Sequence, residues 1–232
     1  MKNKTIIIAE AGVNHNGSLS LAKKLIKAAS RAGADYVKFQ TYDVDSMIRK
    51  NTKLTIYQKK NLKKNLTQYD ILKKYKLRNN WYESLILYSK KNNIKLISSP
   101  FDIKSIQLIK KFNFDYIKIP SGEINNLPYL KVLAKQKKKL ILSTGMSTLS
   151  EVKNAIRVLR SKGLKKNNLY VLHCHSDYPS KPENLNLKAI GLLERKIGLN
   201  VGYSDHSEGI EAPIIAVAYG AKIIEKHITL NK

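Results

Sequence analysis

Residues 5–40, TIIIAEAGVNHNGSLSLAKKLIKAASRAGADYVKFQ, hold one strand, one helix and a second strand, and their reading sets the fold class. Thr5 to Ala9 is a short unbroken apolar run, the pattern of a strand buried on both faces of a parallel sheet. Ser18 can cap a segment whose Leu21, Leu25, Ile26 and Ala29 recur at helical spacing, and Gly33 stops it. Asp35 to Gln40 is the next strand. Outward from this unit the alternation repeats, with strands expected at Lys95 to Ser99, Asp115 to Ile119, Lys139 to Thr144, Leu169 to Cys174, Asn200 to Ser204 and Lys222 to His227. Amphipathic segments fall between them at about 79–93, 102–112, 127–136, 148–162, 186–197 and 209–219. Eight strands with seven helical crossovers mean a parallel α/β protein. A doubly wound sheet is the competing topology, but no GxGxxG follows the first strand, and polar residues crowd nearly every strand's C-terminal end. Those ends are where a (β/α)8 barrel, the expected fold, carries its active site. The one long insertion, Tyr42 to about Arg78, follows strand 2 on that face and could form a lid.

The 232 residues, 43% of them hydrophobic, suffice for one domain that buries a sizeable core. The single cysteine, Cys174, has no internal partner for a disulfide, the apolar run near the N-terminus is too short for a signal peptide, and no stretch would span a bilayer. A soluble protein of the cytoplasm is the expectation. The net charge of +26, from 43 basic and 17 acidic residues, would ordinarily raise a nucleic-acid or membrane partner. Only six of the basic residues are arginine, and the lysine runs have no interleaved aromatic platform, so the excess reads as a solvated surface that attracts small anions.

The strand ends supply Glu10, Asn14 and His15; Lys38 and Gln40; Ser98 and Ser99; Lys118, Ser121 and Glu123; Ser143 and Thr144; His173, His175, Ser176 and Tyr178; Ser204, Asp205 and His206; and Glu225 and His227. Two lysines and many hydroxyls suit a small polyanion bearing phosphate and carboxylate. His206 and His227, ending neighbouring strands, are placed to share one divalent metal with open positions left for substrate or water, although each could merely bond a strand-end carbonyl. His173 and His175 are weaker candidates. Lys118 could form a Schiff base, as barrel aldolases do, or a salt bridge to Glu123 or Asp115.

The segments AEAGVNHNGSLSLAKKLIKAASRAGADYVKFQTY, ISSPFD, YIKIPSGEINNLPYL, LILSTGMST, LHCHSDYP, GYSDHSEGI and IIEKHITL resemble, in order and spacing, the sialic acid synthase family, which includes N-acetylneuraminate, legionaminate and pseudaminate synthases. The resemblance covers essentially the whole chain. It implies a (β/α)8 barrel that condenses phosphoenolpyruvate with an N-acylated amino sugar, such as N-acetylmannosamine, to give a nonulosonic acid and phosphate for cell-surface polysaccharides. The implied cofactor is a divalent metal, manganese, with magnesium or cobalt as alternatives, on His206 and His227, with Glu123 close to a metal-bound water. Lys38, Ser99, Lys118, Ser121, Ser143, Ser176 and Ser204 match positions around phosphoenolpyruvate, while Glu10, Gln40 and Tyr178 lie towards the sugar. Ser176 stands where some members carry asparagine.

The chemistry that follows has C3 of phosphoenolpyruvate attack the sugar aldehyde, polarised by the metal as a Lewis acid. Water then captures C2, with Glu123 as the group expected to position or deprotonate it; Glu10 and Lys118 complete the expected catalytic set. The two lysines hold the anionic groups. The resemblance also implies features beyond residue 232: an eighth helix and an antifreeze-like domain, with homodimers in full-length relatives. Residues 1–232 are accordingly read as the synthase barrel alone, with strand 8 partly uncovered and activity weak. A Schiff-base lyase using Lys118, and an inactive relative serving as a ligand-binding or dimerising module, are the rival readings.

Overall fold

A computed structural model describes residues 4–54 and 66–231. Eight parallel strands close into a barrel in sequence order: β1 (Ile6–Gly12), β2 (Tyr36–Thr41), β3 (Lys95–Pro100), β4 (Tyr116–Ile119), β5 (Lys139–Ser143), β6 (Leu169–Cys174), β7 (Asn200–Asp205) and β8 (Ile223–His227). The outer layer is α1 (Leu19–Arg31), α4 (Tyr82–Lys91), α5 (Ile103–Ile109), α6 (Leu127–Ala134), α7 (Leu149–Arg160), α8 (Ala189–Ile197) and α9 (Glu211–Ala218), and two short helices, α2 (Val44–Met47) and α3 (Gln68–Tyr75), lie in the insertion after β2. No helix follows β8 among the described residues.

Alternation along each strand builds the barrel interior in layers. Ile8, Ile97, Ile141, Leu172 and Ile223 form an apolar layer, with Tyr36 and Tyr116 below them. At the β7 position of this layer stands Gly202, where a Cβ would meet the Ile223 carbonyl oxygen at 2.5 Å, so only glycine fits. Two residues further along the same strands the chemistry switches to Glu10, Lys38, Ser99, Lys118, Ser143, Cys174, Ser204 and Glu225. The apolar layer thus serves as the floor under a polar one.

Outward-facing residues pack against the helices, which start where side chains satisfy their free N–H groups. Ser18 accepts from the Leu21 N–H, Asp102 from Ser105, and Thr148 forms a capping box with Glu151. Gly198 ends α8 in the left-handed region, at φ 64°.

β1 continues three residues past the expected Ala9 because Glu10 is still in register with Lys38 of β2 and His227 of β8. After a register shift between Glu10 and Gly12 the pairing with β2 resumes at Gly12 and Phe39, and Gly12 takes φ +52°. Strand 8 is better covered than expected: its outward Ile224 is buried with Val201, Tyr203, Ala212 and Ala216 beneath α8 and α9. Exposed apolar surface lies instead on Ile7 of β1 and around α9, at Ile210, Ile214 and Ile215. The expected lid falls partly on residues 55–65, outside the described residues. None of the insertion's described residues lines the central cavity; Tyr42 and Tyr69 tie its two helices together, donating to the Leu72 carbonyl and to Asp45.

Candidate active site

The polar layer opens into a cavity of about 270 Å³ at the C-terminal end of the barrel. Glu10, Lys38, Gln40, Ser99, Lys118, Ser121, Ser143, Ser176, Tyr178, Ser204, His206 and His227 all line it, together with Glu225, Cys174, Phe101 and Met146. A larger apolar groove of about 600 Å³ between α8 and α9 brings together Leu185, Leu187, Ala212 and Ile215. It has no comparable set of inward-facing lysines, serines and histidines, so chemistry rather than size selects the barrel cavity.

Four buried charges occupy its base. Lys38 Nζ meets Glu10 Oε2 at 2.6 Å, donates to Ser99 Oγ at 3.0 Å and stands 3.7 Å from Glu225 Oε1. Lys118 Nζ donates to the same Glu225 oxygen at 2.8 Å, and Ser204 Oγ donates to it at 3.1 Å. Gln40 Nε2 donates to Glu10 Oε1 at 3.1 Å. Two ammoniums and two carboxylates balance, which is how four charges are tolerated where isolated ones would be too costly. Burial disfavours the Lys38 ammonium, but Glu10 and Glu225 outweigh it and raise its pKa. Burial likewise opposes ionisation of Glu225, while Lys118 and Lys38 hold its carboxyl down at about 2.

A second group gathers from β4, β5 and β6. Ser121 Oγ accepts from the Gly145 N–H at 2.9 Å. A Cβ on Gly145 would overlap Ser176 Oγ and stand 3.0 Å from Ser121 Oγ, so the glycine makes room for a concave patch of hydroxyls and backbone amide. Its hydroxyls can donate to an anion without adding charge, while the Gly145 N–H, already given to Ser121 Oγ, orients that serine.

At the mouth, His206 and His227 have ring centroids 5.6 Å apart, and the Tyr178 ring lies over His206 at 4.0 Å. Burial lowers the His206 pKa to about 4, partly offset by its bond to the His175 carbonyl. The neutral ring donates its Nδ1 proton to that carbonyl at 2.6 Å, leaving the Nε2 lone pair for another partner. Among the described residues no group of three or more His, Cys, Asp or Glu is arranged to hold a metal. The histidine pair nevertheless fits a divalent ion bound through two imidazoles, with its remaining positions left for water and substrate.

The other histidines are separate from this pair. His173 Nε2 bonds the Leu185 carbonyl at 2.7 Å with its ring against Tyr203, His175 Nδ1 meets Ser180 Oγ at 3.2 Å, and buried His15 accepts from the Gly17 N–H.

Glu123 is placed differently from the expectation. A 3-10 turn, Ser121–Glu123, turns Ser121 to the cavity, while Glu123 lies outside its lining and accepts from Asn126 Nδ2 at 2.7 Å. Burial raises its pKa, against that hydrogen bond and with a contribution from Asp102. Nor does Lys118 pair with Glu123 or Asp115; the latter takes Lys95 and the Tyr36 hydroxyl. Its partner is Glu225, a residue the sequence reading placed at a strand end without a role. The available signal was the step of two along β8, which turns Ile223, Glu225 and His227 to the same side.

The NeuB family's sequence profile matches residues 25–232. An N,N'-diacetyllegionaminic acid synthase of Campylobacter jejuni is 48% identical over 99% of this chain, which covers 69% of that protein. A pseudaminic acid synthase of the same species is 38% identical over 99% of this chain and 66% of its own length. Among solved structures, an N-acetylneuraminic acid synthetase from Leptospira borgpetersenii superposes with a TM-score of 0.85 at 35% identity, covering 99% of this chain and 74% of that one. The chain spans about two thirds of the length of these curated relatives, and over that span it belongs to the NeuB family.

Proposed function

We propose that the barrel condenses phosphoenolpyruvate with an N-acylated amino sugar to give a nonulosonic acid and phosphate. The observation that carries this is the pair of buried lysines ringed by strand-end serines beneath two histidines, in a family whose named relatives make legionaminic, pseudaminic and sialic acids. Residues 1–232 constitute the synthase barrel on this reading. Cytoplasmic residence suits its two metabolite substrates; among the described residues no helix is long and apolar enough to cross a membrane.

Phosphoenolpyruvate is a masked enolate with a phosphate and a carboxylate. Lys38 and Lys118 would face these groups with Ser99, Ser121, Ser143, Ser176 and Ser204, and the Gly145 amide holds Ser121 in place. The sugar would enter at the mouth, towards Gln40, Glu10 and Tyr178. His206 and His227 would hold a divalent metal, manganese or a similar ion, which when bound supplies Lewis acidity.

Bonding between C3 and the aldehyde carbon leaves cationic character at C2. Water adds there, and the bond from C2 to the bridging oxygen breaks, its electron pair leaving with phosphate. Of the two protons that water brings, one ends on the former aldehyde oxygen and one on phosphate, so the sum balances without a redox partner. Glu123, expected to manage this water, would have to turn inward from Asn126 to reach it. Lys118 as an imine-forming amine is disfavoured, because that role would break its 2.8 Å pair with Glu225.

The test is phosphate release from phosphoenolpyruvate with a panel of mono- and di-N-acetylated amino sugars and manganese. Release that depends on one of the sugars, with a matching keto acid in the mass spectrum, is expected. Phosphate release independent of every sugar would overturn the proposal.

A further inference from the structure

We propose that Glu225 is a catalytic residue that holds, through its second carboxylate oxygen, the water that attacks C2 of phosphoenolpyruvate. This rests on the phosphoenolpyruvate reading of the cavity and goes beyond it by assigning the water step to a residue on the barrel floor.

The two oxygens of Glu225 differ sharply. Oε1 is occupied by Lys118 at 2.8 Å and Ser204 at 3.1 Å, with Lys38 at 3.7 Å. Oε2 is buried and meets no hydrogen-bond donor among the described residues. A buried carboxylate oxygen without a donor is unfavourable, so this atom calls for one from whatever enters the cavity.

The nature of that donor can be narrowed by chemistry. Fully ionised phosphoenolpyruvate carries only acceptors, so it cannot satisfy Oε2. The amino sugar does carry donors, but it enters past His206, His227 and Tyr178. Glu225 precedes His227 by two residues on β8 and so lies one layer deeper, level with Glu10 but enclosed by Lys38, Lys118 and Ser204, on the side where phosphoenolpyruvate rather than the sugar is placed. Water is small enough to reach that depth and can donate to Oε2 with one hydrogen while its oxygen faces C2.

Competing carboxylates are committed elsewhere. Glu10 Oε2 also lacks a hydrogen bond among the described residues, but it stands 2.6 Å from the Lys38 ammonium as an ion pair, whereas no cation among them is paired with Glu225 Oε2. Glu10 Oε1 takes Gln40 at 3.1 Å, and Glu123 is held by Asn126 outside the lining. A carboxylate in an anion site also repels the substrate it surrounds. Its presence there is understandable if it serves the reaction rather than binding. In the step itself the water oxygen bonds to C2 and its protons go to the former aldehyde oxygen and to phosphate. Glu225 orients the water and keeps neither proton.

The test compares the purified chain with Glu225→Gln and Glu225→Asp, reading phosphoenolpyruvate affinity by calorimetry and kcat by phosphate release at saturating sugar, with the thermal melt as a check on folding. Glu225→Gln keeps an oxygen for Lys118 and Ser204 but replaces the carboxylate with an amide and leaves the cavity one positive charge richer. The assignment expects phosphoenolpyruvate to bind as tightly or more tightly while kcat falls roughly 100-fold or more. Glu225→Asp keeps the charge but withdraws the oxygens by one methylene, and is likewise expected to lose kcat. A kcat within about threefold of wild type in the glutamine variant overturns the assignment. So does weakened phosphoenolpyruvate binding with kcat retained, which would make Glu225 only an anchor for Lys118. Failure of the wild-type chain to bind phosphoenolpyruvate overturns the underlying reading, and it is seen in the wild-type measurement alone.

Discussion

Lys118 of β4 and Glu225 of β8 stand on opposite sides of the barrel and meet across its axis at 2.8 Å. The contact joins residues 107 positions apart, so it forms only when the barrel has closed. Stability and chemistry therefore share these two side chains.

Removing one partner leaves the other charge buried. Glu225→Ala should destabilise the fold by about 3–5 kcal/mol, the cost of breaking a buried ion pair from one side. Glu225→Gln, which still accepts from Lys118 and Ser204, should cost distinctly less. Urea unfolding of the two variants checks the order, and equal losses would show that packing rather than charge is at stake.

The same carboxylate predicts an acid limb. Its folded-state pKa is about 2, below the ordinary value of 4.5, so its contribution is present in full above about 4.5 and is lost as pH falls through the window to about 2. Unfolding midpoints measured from pH 6 to 2 should fall across that window. Lys118→Met, which removes the nearest cation, should flatten the slope, and an unchanged slope would count against Lys118 as the cause.

Gly145→Ala tests the hydroxyl patch. Its methyl group would press on Ser176 Oγ and Ser121 Oγ. Phosphoenolpyruvate binding should weaken about 10-fold or more, with far-UV circular dichroism unchanged. Wild-type affinity in this variant would remove the β4–β6 patch from the anion site.

The histidine pair makes a separate prediction. Calorimetry with manganese should show one site on the wild-type chain and at least a 10-fold weaker one on His206→Ala. His173→Ala should bind like wild type, because the His173 ring is engaged with the Leu185 carbonyl. Equal binding by all three proteins would take the metal away from His206.

The barrel was legible because its strands announce themselves twice, by apolar runs and by a polar residue two steps past each apolar interior residue, as in Ile97 and Ser99 or Ile141 and Ser143. Strand ends also announced the cavity, since closure brings such residues together whatever their spacing in sequence. Glu123 shows where this reasoning stops: the sequence says that it follows β4, but the 3-10 turn sends Ser121 inward and Glu123 to Asn126. Glu225 shows the reverse. Its partners come from β4, β7 and β2, and no local pattern pairs it with Lys118, Ser204 and Lys38. The cover over Ile224 also depends on how α8 and α9 settle on the sheet, a tertiary matter that periodicity does not convey.

The most direct measurement of the condensation follows the bridging oxygen of phosphoenolpyruvate. The chain is incubated with manganese, the amino sugar that supports turnover, and phosphoenolpyruvate carrying oxygen-18 between C2 and phosphorus, and both products are weighed by mass spectrometry. The account predicts a nonulosonic acid without the bridging label and phosphate that retains it, because the C2–O bond breaks. Label retained in the sugar acid, or phosphate released without any sugar acid, would contradict it.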